Sequence, residues 1–205
     1  MRVLATLPQD DLNDVPAATR AAEAAGYDGL VTMENRNEPF LALGVAAVNT
    51  TRIGLATGIA IAFSRSPMAV ANASWDLQVG SRGRFVLGLG SQERAHNEHR
   101  FSVKWTPPAP RLREYVEALR AIWRAWEQGA RLDYQGQHYR FTLMTPNFVP
   151  SSTHQPMVGR RRHKRPLSVL VAHPPGVSGG LSRPPPGTAR TTAVSRRSPE
   201  VSGAD

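Results

Sequence analysis

The stretch Ser81-Arg-Gly-Arg-Phe-Val-Leu-Gly-Leu-Gly-Ser-Gln92 ends a short apolar run on two glycines and a polar pair. A hydroxyl and an amide held at the end of a buried strand can hydrogen-bond a ligand, and α/β enzymes keep their chemistry at such ends. Gly88 and Gly90 leave open space there, into which Ser91 and Gln92 could project. Strand-end capping is the alternative role for that pair. The Gly-x-Gly at 88–90 is too short for a dinucleotide fingerprint and lacks the acidic residue such a site carries about twenty positions on. Further along, His96 and His99 flank Asn97-Glu98 at a spacing that puts both imidazoles on one helix face. Two imidazoles and a carboxylate can ligate a metal. The segment reads instead as an insertion loop with solvated or substrate-facing histidines, and no metal is expected.

The elements that must position these groups repeat. Arg2–Leu7 is a first apolar run. Asp14-Val-Pro16 opens a helix, with Asp14 as N-cap and proline in the first turn. Ala18, Ala22 and Ala25 form a small face for packing on a sheet, and Gly26 ends the helix. Asp28–Met33 is a second strand, and Glu38-Pro39 opens a helix to about Asn49. Arg52–Phe63 is a third strand, and Ser66-Pro67 opens a third helix ending near Gly80. Phe85–Gly90 is the fourth strand, too short for a helix and bracketed by glycine. The order β-α-β-α-β-α-β, with nearly all-apolar strands, predicts a parallel sheet covered on both faces. From Arg111 to Gln128, Leu112, Tyr115, Val116, Leu119, Ile122, Trp123 and Trp126 recur at helical spacing, while Arg113, Glu117, Arg120, Arg124 and Glu127 face water. This aromatic stripe reads as core. Gly129 closes the helix, and Leu132–Phe141 alternates about Gln135-Gly136 as a hairpin.

These segments resemble the luciferase-like monooxygenase superfamily, in particular its deazaflavin (coenzyme F-420) dependent oxidoreductases. The matching text is Ala-Ala-Gly-Tyr-Asp-Gly at 24–29, Ala-Ile-Ala-Phe-Ser-Arg-Ser-Pro-Met at 60–68, Gly-Arg-Phe-Val-Leu-Gly-Leu-Gly-Ser-Gln at 83–92, Arg-Glu-Tyr-Val-Glu-Ala-Leu-Arg-Ala-Ile-Trp at 113–123 and Leu-Met-Thr-Pro at 143–146. The resemblance implies an α/β fold, a (β/α)8 TIM barrel with an insertion after the fourth strand. This chain would supply its first four βα units and the insertion hairpin.

The resemblance also implies an oxidoreductase or monooxygenase that uses a deazaflavin or FMN on a small organic substrate. In such a barrel the chemistry lies on the rim formed by Thr6-Leu7-Pro8, Met33-Glu34-Asn35, Thr57–Phe63 and Ser91-Gln92. A non-proline cis peptide in the third strand is implied at Gly58–Ile59. Thr6, Gly58, Ile59, Ala60, Ser91 and Gln92 would face the ring. Simple relief of crowding in a buried strand is the competing reading for Gly58. Glu34 and Asn35 are the catalytic candidates, Glu34 as acid or base, with a solvated loop acid as the alternative. Some deazaflavin relatives carry a glutamate near Ser91, and its absence here argues against a sugar-phosphate dehydrogenase. The loops that hold the cofactor phosphate in relatives would lie beyond Pro150.

A complete barrel takes about 250 residues, and this chain has 205. Residues 1–150 read like the family. Residues 151–205 contain no Phe, Trp or Tyr, eight prolines and six glycines, and nine Lys or Arg against two acids. Such a basic segment cannot bury enough apolar surface to order itself, and neither a fifth strand nor its helix is expected in it. A disordered tail, a nucleic-acid arm at Arg160–Arg165 and a shifted reading frame all fit this composition. The shifted frame accounts for it best, and nucleic acid is the least expected partner because no aromatic residue is there to stack on bases. The segment holds +7 of the net charge of +9, so the charge is no signal of a partner for the first 150 residues. There is no cysteine, hence no disulfide or thiolate metal site. No secretory signal or run of about eighteen apolar residues is present, so a cytoplasmic protein without membrane association is expected. A half-barrel that self-associates as a homo-oligomeric binding module is the rival reading.

Overall fold

The structure, a computed structural model, describes residues 2–150 and a strand at 168–172. Strands β1 (Leu4–Thr6), β2 (Gly29–Thr32), β3 (Gly54–Thr57), β4 (Ala60–Ile61) and β5 (Phe85–Gly90) alternate with helices α1 (Val15–Ala24), α2 (Pro39–Asn49) and α3 (Pro67–Gly80). All pair in parallel in the order β1-β2-β3-β5-β4, and β8 (Ser168–Ala172) adds parallel to β5. Between them lie a π-helix (His96–Arg100), α4 (Pro108–Gln128), the antiparallel hairpin β6 (Tyr134–Gln135) and β7 (Arg140–Phe141), and a 3-10 turn (Pro146–Phe148). This is a partial barrel, as the βα repeats imply.

The helices begin where the sequence places them. Glu38 caps α2, its Oε2 accepting from the amides of Phe40 and Leu41 at 2.7 and 2.9 Å. The Ser66 hydroxyl accepts from the Ala69 amide at the start of α3, and Gly129 ends α4 with φ 60°. The apolar stripe of α4 is buried in full, and Arg113, Glu117, Arg120, Arg124 and Glu127 face out. Its tryptophans lock it onto α3: Trp126 meets Trp75 edge-on at 5.4 Å, and Trp123 Nε1 donates to the Ala71 carbonyl.

Four expectations are corrected. Asp14 precedes α1 but caps nothing with its side chain, because its backbone is already helical. The inward face of α1 runs through Val15 and Thr19 rather than Ala25, which is exposed. The first strand is covered poorly, since Val3 and Leu4 on this edge are 46% and 40% exposed. And a fifth barrel strand does follow the boundary near Pro150: β8 pairs with β5 from Val86 to Gly90. Its apolar run is only a few residues long, and the polar composition around it masked it. The rest of 151–205, on which the disordered tail and the basic cluster fall, lies outside the described residues.

Candidate active site

The third barrel strand is broken by a bulge, and its register shows how. Ala56 lies opposite Val86, and Ala60 lies opposite Leu89. Four steps along one strand therefore run past three along the other, so one extra residue must be accommodated. On the β2 side, the Gly58 amide donates to the Thr32 carbonyl at 2.7 Å, and the Glu34 amide donates to the Ile59 carbonyl at 3.2 Å. The peptide between them, Gly58–Ile59, is cis. Gly58 is exposed, Ile59 half-buried and Ala60 buried.

The neighbours of the bulge leave no room for side chains. A Cβ on Gly88 would run into the Thr57 carbonyl oxygen, and one on Gly58 into Val31 Cγ1. On Gly90 it would lie 2.8 Å from Ile59 Cδ1.

Glu34 stands beside the bulge, and its carboxylate is fully engaged. Oε2 accepts from the Ile61 amide at 2.7 Å and from Arg65 Nη1 at 2.7 Å, while Oε1 accepts from Arg65 Nη1 at 2.8 Å. The side chains are 6% and 22% exposed. Arg65 also reaches Glu38 at 3.3 Å and lies over the Phe40 ring. Its carbonyl accepts from the Tyr115 hydroxyl, a phenol whose pKa burial pushes up. β2, α2, the loop before α3 and α4 thus meet at one arginine.

The remaining candidates lie around the same strand ends. Thr6 is exposed on β1, opposite Val31. Asn35 is exposed, its side-chain oxygen accepting from the Arg36 amide. Its carbonyl is held by Arg100, which reaches across from the π-helix. Ser91 is 1% exposed, and its hydroxyl has no partner among the described residues. Gln92 has φ 58° and turns its side-chain oxygen back onto the Glu93 amide. His96 and His99 are both exposed on the π-helix. No cluster of three metal-ligating side chains occurs among the described residues.

Sequence reasoning did not single out Arg65, Glu38 or Arg100 as parts of this rim. Arg65 carried a signal, since it sits directly before the Ser66-Pro67 helix start. Arg100 carried none, because its partner is 65 positions away.

The donor set fits a flat polyaromatic group. Gly58 leaves backbone exposed at the bulge and the buried Ser91 hydroxyl has spare hydrogen-bonding capacity, whereas Gly88 and Gly90 do not leave the open space expected of them, because Thr57 and Ile59 fill it. A separate cavity of about 650 Å³ between the end of α4 and the segment Thr142–Thr145 lies away from these groups.

The fold agrees with the comparisons. The family model of the luciferase-like monooxygenases matches residues 2–182; the chain belongs to that family. It is 51% identical over 144 residues to the Mycobacterium tuberculosis protein Rv1360, covering 67% of this chain and 42% of that protein. It is 32% identical over 124 residues to the putative coenzyme F-420-dependent oxidoreductase Rv3520c of the same organism, covering 60% of this chain and 35% of that one. This chain therefore spans less than half the length of these relatives. The crystal structure of the monooxygenase RslO1 from Streptomyces bottropensis superposes with a TM-score of 0.66 at 21% identity, over 83% of this chain and 53% of that one. The solved structures of this fold include ones named for coenzyme F-420 and one in complex with FMN. No helix among the described residues is long and apolar enough to cross a membrane.

Proposed function

We propose that this chain forms the ring-side wall of a redox site that takes a deazaflavin or FMN and acts on a small organic substrate. The bulge at Gly58–Ala60 carries this reading. At Gly58 it leaves backbone exposed, while Ile59 is half-buried beside it. When bound, the cofactor supplies hydride transfer or oxygen activation, and the protein supplies orientation and exclusion of water.

In this reading Ile59 backs one face of the ring. Ser91 donates a hydrogen bond to its polar edge, with Gln92 and Thr6 at the margins. Asn35 is the polar side chain at the end of β2 that faces solvent, and it meets the substrate. Sequence relationship to a protein named for coenzyme F-420 favours the deazaflavin over FMN.

Titrating the purified full chain with FMN and with coenzyme F-420 tests the proposal by fluorescence quenching. Saturable binding of either supports it; no binding at high micromolar concentration of both overturns it.

The exposed edge of β1 supports a second reading, in which the partial barrel pairs with another copy as a binding module. Two open parallel sheet edges are prone to such pairing. Size-exclusion chromatography distinguishes the two: a stable dimer at twice 22.4 kDa favours the module.

A further inference from the structure

We infer that Glu34 is a positioning residue for the bulge rather than the acid or base that its place on the rim suggests. The inference rests on the ring-site reading for its functional meaning, but its structural content stands apart from it.

β4 is bonded on one side to β5, where the Ala62 amide donates to the Gly90 carbonyl. On its other side the Ile61 amide needs an acceptor. β2 has turned away by then, because its last ladder contact is the Glu34 amide to the Ile59 carbonyl. The Glu34 side chain takes over where the backbone stops, and its Oε2 accepts from Ile61 at 2.7 Å.

Glu34 therefore holds the bulge from both ends: its own amide on Ile59 and its carboxylate on Ile61. Arg65 fixes that carboxylate from the far side and is itself fixed by Glu38 and by the Tyr115 hydroxyl. A carboxylate with both oxygens so committed is held for geometry. The proton-transfer role, if the site needs one, falls to another group.

Two measurements on the full chain test this, using Glu34→Gln and Glu34→Ala. The first is hydrogen exchange of the Ile61 amide, with α4 as an internal standard of intact folding. Glu34→Ala raises Ile61 exchange about tenfold or more, the scale of one lost bond to a charged acceptor. Glu34→Gln, which keeps an oxygen for Ile61, gives an intermediate value. Unchanged Ile61 exchange in both variants overturns the inference. If Glu34→Ala loses protection in α4 as well, Glu34→Gln alone decides.

The second readout is affinity for FMN and coenzyme F-420. The inference expects weaker binding in Glu34→Ala, with partial rescue in Glu34→Gln. Equal affinity in wild type and both variants overturns the link to the ring. Should wild type bind neither cofactor, the ring-site reading fails while the exchange result still decides the role of Glu34.

Discussion

The Thr57 hydroxyl spans the gap where β3 leaves β5, donating to the Gly88 carbonyl at 2.7 Å and accepting from the Gly88 amide at 2.8 Å. One side chain thus replaces two ladder bonds at the onset of the bulge. Thr57→Val keeps the shape and removes the hydroxyl, leaving a buried amide and carbonyl without partners. The cost of such unsatisfied groups is about 1–3 kcal/mol, read as a lower urea midpoint. Thr57→Ser, which keeps the hydroxyl, loses clearly less.

Gly88 and Gly90 are two residues apart, yet their alanine variants separate stability from site geometry. A methyl on Gly88 strikes the backbone carbonyl of Thr57, which has no rotamer to escape into. Gly88→Ala costs about 3 kcal/mol or more, at the upper end of overpacking penalties. A methyl on Gly90 meets Cδ1 and Cγ1 of Ile59, side-chain atoms that can move. Gly90→Ala folds, loses about 1 kcal/mol, and changes cofactor affinity because Ile59 is displaced. Urea titration and cofactor titration of the two variants check both halves.

The helices were legible because their signals are local. α4 has one wholly polar face, so its seven apolar positions point inward unambiguously. α1 was misread at Ala25 because alanine tolerates either environment. Thr19 is buried there instead, its hydroxyl satisfied by the Pro16 carbonyl. The bulge could be placed only through resemblance to a family, since nothing in Thr57–Ala60 itself announces an extra residue. The role of Glu34 was out of reach, because its meaning depends on an arginine 31 positions away. β8 was missed because a short apolar run was averaged into a long polar segment.

At the opposite end of the strands, Arg84 acts as a staple. It donates to the carbonyls of Ala47 and Thr50 at the end of α2, to the Thr50 hydroxyl, and to the carbonyls of Ile53 and Ser81. A cation there satisfies carbonyls that α2 leaves open and complements the helix dipole. Arg84→Met keeps the apolar stem and removes every donor. The expected loss is about 2–3 kcal/mol of stability, measured by urea denaturation. Cofactor affinity stays unchanged, because this face of a barrel serves stability and the other serves chemistry.

Glu23 performs the matching task on the same face and makes stability depend on pH. Its carboxylate accepts from the amides of Thr51, Arg52 and Ile53. Burial by itself would raise its pKa; the three amide bonds outweigh that, and the group titrates below its ordinary value. A carboxyl depressed on folding adds stability that is fully present above its unfolded pKa, about 4.3. That contribution is lost as pH falls through the lower folded value. Comparing wild type with Glu23→Ala by urea denaturation therefore gives a constant gap from about pH 7 down to about pH 5. The gap narrows in more acid solution. A gap that widened on acidification would mean the carboxyl is held above its ordinary value, and the three amide bonds would not be what anchors α1 to the start of β3.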